Sequence, residues 1–283
     1  NQECHGAHGA VCRGARPPRP PAAGGAAAPA AGGRPGGAGG GRAGRWWAPP
    51  AAAAATDATS SFAVVELFTS QGCNSCPRAE EALARLVEDT EGLAVFPIEW
   101  HVHYWDYLGW PDPYAIPEAA RRQRRYGQVL GSGVYTPQMV LNGRSIVRPA
   151  QDYHLVRSSA LTALGPETAA ESLPRVALAD VDRRPHAIRV NYEVSGVPAG
   201  CTLLVAALES SLENHVPRGE NAGRTLRHRN VVRGFSTVTL GPGDSAGVVS
   251  IEVPEELVSG EGFLVAYVQR RETLGIVAAT ALP

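Results

Sequence analysis

Ala63-Val64-Val65-Glu66-Leu67-Phe68-Thr69-Ser70-Gln71-Gly72-Cys73-Asn74-Ser75-Cys76-Pro77 is the stretch whose reading decides the fold. Its first six residues form a short apolar run of strand length, and Thr69 to Gly72 is turn-rich. Pro77 suits the first turn of a helix, and Ala79, Ala82, Leu83, Leu86 and Val87 then recur at helical spacing on one face. Glu80 and Glu81 fall near the positive end of that helix. Two cysteines three residues apart therefore stand where a strand hands over to a helix. Backbone N–H groups and the helix dipole stabilise a thiolate there, and in such motifs the thiol pKa drops from about 8.5 to roughly 3.5–7.5. Cys73, at the open end, is expected to attack, and Cys76, one turn further in and more shielded, to resolve the mixed disulfide.

Reading outward, Leu93–Ile98 continues as a second strand that runs on to Trp100-His101-Val102-His103, which makes strand, helix, strand. An aromatic insertion follows, with Tyr104, Trp105, Tyr107, Trp110 and Tyr114 interrupted by Pro111 and Pro113. A helix is expected from Pro117 to Leu130, with Arg121, Arg122, Arg124 and Arg125 as a solvated face. Thr136-Pro137 then opens Gln138–Leu141, and Asn142-Gly143 predicts a two-residue hairpin into Ser145-Ile146-Val147. A last helix is expected over 150–164. This order of elements matches a thioredoxin-like fold, in which a cis-proline faces the cysteines. Thr136-Pro137 is accordingly expected to be cis, at a cost of only about 0.5–1 kcal/mol over trans.

From Leu173 the texture changes. Ile188, Val190, Tyr192 and Val194 alternate with polar residues, as do Val249, Ile251 and Val253, and Gly and Pro clusters at 196–200 and 241–243 supply turns. This predicts an antiparallel β-sandwich-like domain. The expected organisation is a tail or targeting segment over 1–58, a thioredoxin-like domain over 59–168 and a β-rich domain over 169–283.

Three long motifs carry a family resemblance. They are Val64 to Pro77, His101-Val102-His103-Tyr104-Trp105-Asp106-Tyr107-Leu108-Gly109-Trp110, and Val134-Tyr135-Thr136-Pro137-Gln138-Met139. With Pro217-Arg218-Gly219-Glu220-Asn221-Ala222-Gly223-Arg224-Thr225-Leu226, they resemble a secreted thioredoxin-like family, domain of unknown function 1223. The resemblance implies a thioredoxin-like domain followed by a β-rich one, and export to the periplasm or beyond. It supplies no substrate.

His101 and His103, two apart at a strand end, are expected on one face, tuning the thiols, simply lining the aromatic loop, or joining Cys73 and Cys76 in a Cys2His2 metal site. The redox reading needs free thiolates and takes no metal and no cofactor. Trp105 and Trp110, with Thr136 and Pro137, are expected to line a lip where an extended polypeptide docks, unless the aromatics simply plug the sheet edge. Arg224, Arg227, His228, Arg229 and Arg233 read as a charged strand face or an anion site, and Cys201 as a buried thiol.

Charge and composition exclude other classes. In residues 1–55, Ala, Gly and Pro fill 39 positions and Leu, Ile and Phe are absent, so this segment is expected to be disordered. Its Cys4, His5, His8 and Cys12 read as compositional bias. It holds six Arg against one acid, whereas 56–283 holds 20 Arg against 26 acids. A folded part that is net acidic argues against nucleic acid, and no apolar run reaches the roughly 18 residues of a spanning helix. The expected activity is thiol–disulfide exchange on protein or peptide disulfides, assisted by a redox partner. The alternatives are metal delivery through the same cysteines plus histidine, and a non-catalytic envelope adaptor braced by a fixed disulfide.

Overall fold

The computed structural model describes residues 61–165, 173–259 and 262–283. The tail expected over 1–58, with its Cys4, His5, His8 and Cys12, lies outside them.

Strand β1 (Ala63–Thr69) runs parallel to β2 (Val95–His101), and helix α1 (Pro77–Asp89) makes the crossover. After α2 (Pro117–Val129), β3 (Gln138–Leu141) returns antiparallel to β1 and β4 (Ser145–Val147) pairs with β3. Helix α3 (Tyr153–Leu164) closes this half, its N-cap Asp152 accepting the Leu155 N–H at 3.1 Å. Both central strands are buried throughout, and apart from Glu66, Thr69, Glu99 and His101 they are apolar. Alternation sorts their side chains. Val64, Phe68, Phe96, Ile98 and Trp100 face α2, and Ala63, Val65, Leu67 and Val95 pack with Leu83 and Leu86 of α1 and Val156 of α3.

The Asn142-Gly143 turn differs slightly from expectation. Leu141 pairs with Ser145, so three residues lie in the loop rather than two. Asn142 and Gly143 take φ of 49° and 64°, and a Cβ on Gly143 would stand 1.9 Å from the Leu274 carbonyl oxygen. Close approach of another segment, besides the turn itself, demands glycine there.

The second half comprises β5 (Arg175–Arg184), β6 (Ala187–Val197), β7 (Cys201–Val216), β8 (Arg224–Thr239), β9 (Gly243–Glu252), a short α4 (Glu255–Ser259), β10 (Gly262–Arg270) and β11 (Ile276–Leu282). Strands β5-β6-β9 form one antiparallel sheet. Ile188, Val190 and Ile251 from that sheet share a core with Leu203, Val205, Leu264 and Ala266 of β7 and β10. The larger sheet has the order β11-β10-β7-β8-β2-β1-β3-β4. Strand β8 thus lies beside β2, with Glu99 opposite Val231, and one sheet crosses the boundary expected at 168/169. The reason is physical: β2 is buried on both faces, and β8 covers the edge it would otherwise leave open.

One further expectation changes, and the one for Cys201 does not. Arg122 is not solvated. Its side chain, 13% exposed, reaches the buried Glu66, while Arg121, Arg124 and Arg125 stay exposed. Cys201 is buried and free.

Candidate functional site

After β1 the chain turns at Ser70, whose Oγ accepts the Gly72 N–H at 3.1 Å and whose carbonyl accepts the Cys73 N–H at 3.1 Å. Cys76 caps α1, and its carbonyl accepts the Ala79 and Glu80 N–H groups. Cys73 and Cys76 are joined by a disulfide with Cα atoms 5.5 Å apart. Ser75 Oγ stands 3.4 Å from Cys73 Sγ.

The sequence reading placed Cys73 in the open and Cys76 under cover. Both are fully buried. What covers them is the loop between β7 and β8, about 145 residues further along the chain. Asn221 Nδ2 donates to the carbonyls of Gln71 and Cys73, each at 2.9 Å, and Glu220 accepts the Asn74 N–H at 3.0 Å. Trp105 lies against Gly72 closely enough that a Cβ there would be 2.8 Å from its own. The Trp105 indole donates to Thr136 Oγ1 at 2.8 Å, and the Thr136–Pro137 peptide bond is cis. Arg148–Pro149 is cis as well, which the sequence reading did not anticipate. Trp110 donates to Gln71 Oε1 at 2.9 Å. Both tryptophans therefore hold the cysteine loop as well as bordering it.

His101 and His103 part company. Strand β2 ends at His101, so alternation stops there, and His103 is exposed while His101 is buried. His101 Nδ1 lies 2.7 Å from Asp112 Oδ2 and its Nε2 2.9 Å from Glu99 Oε1. Both nitrogens meet carboxylates, so both carry protons. Burial alone would lower the His101 pKa, but the charge of Asp112 and the hydrogen bonds from Asp112 and Glu99 push it up to about 10. Asp112 itself is held below the ordinary carboxylate range, since His101 outweighs the cost of burial.

His228 of β8 completes the cluster. Its Nδ1 is 2.9 Å from Glu99 Oε1 and 3.5 Å from Glu80 Oε2, and its Nε2 is 3.2 Å from Gln71 Nε2. Gln71 Oε1 already takes the indole N–H of Trp110 and the amide of Asn214. Gln71 therefore presents its NH2 to His228, so the His228 proton sits on Nδ1 and is donated to Glu99. Burial would raise Glu99, but the two imidazoles hold it below the ordinary value. Burial does raise Glu80, with Glu99 adding and His228 opposing, to about 7, and Thr69 Oγ1 donates to it at 2.5 Å.

Glu99, His101 and His228 are the described residues whose ligand atoms come together within 4.8 Å, and neither cysteine joins them. The Cys2His2 set, one of the alternatives the sequence left open, is therefore not assembled: the sulfurs bind each other and His103 lies outside. The Glu99–His101–His228 set is already filled by protons. Two N–H groups point at one carboxylate oxygen, and a cation would have to displace both. It would also leave a proton on His228 Nε2 facing the Gln71 amide. The arrangement is an internally satisfied hydrogen-bond network rather than an open metal site.

Sequence reasoning missed Glu80, Glu99, Asp112 and Asn221 as parts of the site, and left His228 on a charged surface. One signal was present: Glu99 is a charge in the middle of an otherwise buried strand, which demands a partner.

Residues 64–269 match the model of a family described as "Protein of unknown function (DUF1223)". An X-ray structure of a protein from Agrobacterium tumefaciens, a structural-genomics target, is similar at 29% identity. The match covers 78% of this chain and 93% of that one, with a TM-score of 0.55. A β-glucosidase from Kluyveromyces marxianus matches at 14% identity over 42% of this chain and 14% of its own, with a TM-score of 0.20. A β-glucuronidase from Bacteroides uniformis matches at 11% identity over 38% and 12%, with a TM-score of 0.19. Likeness at that level carries no argument. No curated protein matches the chain.

Proposed function

The chain belongs to the DUF1223 family, whose description names no activity, and from its own geometry we propose a thiol–disulfide oxidoreductase on a thioredoxin-like scaffold, acting in the periplasm or outside the cell. The observation that carries this reading is the Cys73–Cys76 disulfide at the start of α1. The succession β1-α1-β2-α2-β3-β4-α3, with β4-β3-β1-β2 as neighbours, and the Thr136–Pro137 turn bound to Trp105 support the scaffold. A compartment in which a disulfide persists fits the same reading.

In the oxidising direction a client thiolate attacks Cys73 Sγ, and the Cys73–Cys76 bond breaks. Cys76 leaves as a thiolate that the α1 N-terminus stabilises. A second client thiolate then attacks the client sulfur of the mixed disulfide and expels Cys73 as a thiolate. The client ends with a disulfide and the chain with two reduced cysteines. The reverse sequence reduces a client. The partners are protein or peptide thiols and disulfides, plus a redox partner that restores the starting state. Either direction requires the 217–223 loop to lift. Trp105, Trp110, Thr136 and Pro137 are the residues we assign to client contact, and no cofactor is needed.

The test is trapping in the full chain. Cys76→Ser should accumulate mixed disulfides through Cys73, and Cys73→Ser should accumulate few. Equal, negligible trapping by both variants overturns the reading. One observation favours a second reading, a non-catalytic adaptor: both cysteines are fully buried, as a bracing disulfide would be. That reading expects both variants to lose thermal stability alike and neither to form a covalent adduct.

A further inference from the structure

Beside the disulfide lies an open cleft of about 720 Å3 that reaches Ser75, the residue whose hydroxyl neighbours Cys73 Sγ. One wall is α1, which presents Arg78 and Arg85, and the other is the start of α3, with Asp152, Tyr153 and His154. The Arg85 guanidinium stacks 3.8 Å over the Tyr153 ring, which fixes its position without using its N–H groups. Arg78 and Arg85 form no ion pair among the described residues. Of the nearby acids, Glu81 is exposed on α1, three residues from Arg78 and four from Arg85, and two others are engaged. Asp152 caps α3, and Asp89 accepts the Tyr153 hydroxyl and faces Arg157 at 3.7 Å. Two guanidiniums outside any ion pair among the described residues thus stand in a cleft lined also by Ser75, whose hydroxyl is 3.4 Å from Cys73 Sγ.

We propose that this cleft binds a carboxylate of the incoming thiol, so that the substrates of the Cys73–Cys76 pair are thiols flanked by acidic groups. The proposal rests on the oxidoreductase reading and adds to it a substrate class. Arginine is suited to the task because its planar fork takes a carboxylate in bidentate fashion. Docking there raises the local concentration of thiolate beside Cys73 without changing the exchange chemistry: the attacking thiolate bonds to Cys73 Sγ and Cys76 leaves, as above.

The experiment follows reduction of the oxidised full chain by glutathione, whose carboxylates outnumber its amine, and by cationic cysteamine. Comparing the ratio of the two rates between proteins cancels their intrinsic reactivities. In the Arg78→Glu, Arg85→Glu double variant the glutathione-to-cysteamine ratio should fall about fivefold or more, and 0.5 M salt should compress the wild-type ratio similarly. Arg78→Glu alone, at an exposed position that Tyr153 does not hold, guards against a folding defect. Arg184→Glu, a remote charge change, should leave the ratio unaltered. Two cysteine-containing decapeptides, one flanked by Glu and one by Lys, identify the source of the carboxylate. Discrimination between peptides alone points to a protein segment, and discrimination by glutathione as well means a small acidic thiol suffices. Both outcomes support the site. Reduction by all thiols with unchanged ratios in the variants overturns the cleft while leaving the oxidoreductase reading intact. Failure of every thiol to reduce the native protein overturns both.

Discussion

Glu66 and Glu99 stand on neighbouring strands, both fully buried, on opposite faces of one sheet, and they are served by different cations. Glu66 is locked. It accepts Arg122 Nε at 2.7 Å and Nη2 at 3.1 Å, the Tyr126 hydroxyl at 2.5 Å, the Tyr267 hydroxyl at 3.0 Å and the Trp100 indole at 3.0 Å. Arginine does not lose its proton in proteins, so Glu66 always faces a cation, and the cluster ties α2 and β10 to β1. Glu99 faces imidazoles instead, with Glu80 and Asp112 close by. Burial raises Glu80 to about 7, so this cluster holds a carboxyl that exchanges its proton near neutrality. Equal burial therefore yields a rivet on one face and a titrating group on the other, and the titrating one adjoins the disulfide.

The comparison can be broken at several points. The largest effect is expected from Glu66→Ala, which strands the Arg122 charge and two tyrosine hydroxyls in the interior. It should cost about 3–5 kcal/mol in denaturant unfolding, nearly independent of pH from 6 to 9. A loss under 1 kcal/mol would mean that the cluster is not the anchor its geometry indicates.

His101→Gln should cost about 2 kcal/mol at pH 7, by removing charge-assisted hydrogen bonds to two carboxylates. Its more telling signature is pH dependence. The folded-state pKa of His101 is pushed from the ordinary 6.5 up to about 10. Below pH 6.5 both folded and unfolded chains hold the proton and the contribution is full. Between 6.5 and 10 only the folded chain holds it, so stability falls as pH rises, by up to about 1.4 kcal/mol per unit. Glu80, raised from 4.5 to about 7, acts in the same sense, its contribution being present below 4.5 and lost as pH rises through 7. Glu99 and Asp112, both lowered, contribute above their ordinary values and lose that contribution only at the acid end. Maximum stability should therefore lie on the acid side of neutrality. The alkaline slope should flatten in His101→Gln, and a slope equal to wild type would show that His101 is not the titrating partner.

Asn221→Ala should have the smallest thermodynamic effect, about 1 kcal/mol for two hydrogen bonds to carbonyls at a loop. It should nonetheless accelerate reduction of the Cys73–Cys76 disulfide about tenfold, because the loop over it loses its latch. Stopped-flow reduction with a neutral thiol measures this, and an unchanged rate would indicate that the sulfurs are reached by another route.

How much of this was legible in the sequence follows from locality. The strand at 63–69, the helix from Pro77, the cysteine spacing and the turn at Asn142-Gly143 are encoded by neighbours in the chain, and each lies within a few residues of where the pattern placed it. Alternation in β6 and β9 was equally plain. The pairing of β8 with β2 was not, because nothing local says which strand will take an open edge. The burial of Arg122 and His228 was hidden for the same reason. Each sits in a run of charges that periodicity reads as a wet face, and only a carboxylate distant in sequence, Glu66 or Glu99, draws it inward. Asn221 lay in a motif quoted for its resemblance, but its role depends on two carbonyls roughly 150 positions away.

The long β7–β8 hairpin also determines where this chain can be divided. A fragment ending near residue 168 would keep both cysteines yet lose Asn221, His228 and the strand that lies along β2. Its exposed sheet edge would be free to pair with another copy of itself, and the carboxylates around Glu99 would lack one of their proton donors. Chimeras that exchange the C-terminal half between homologues face the same constraint. The seam is made of side chains drawn from both halves of the described chain, so a graft succeeds only when it carries the whole seam.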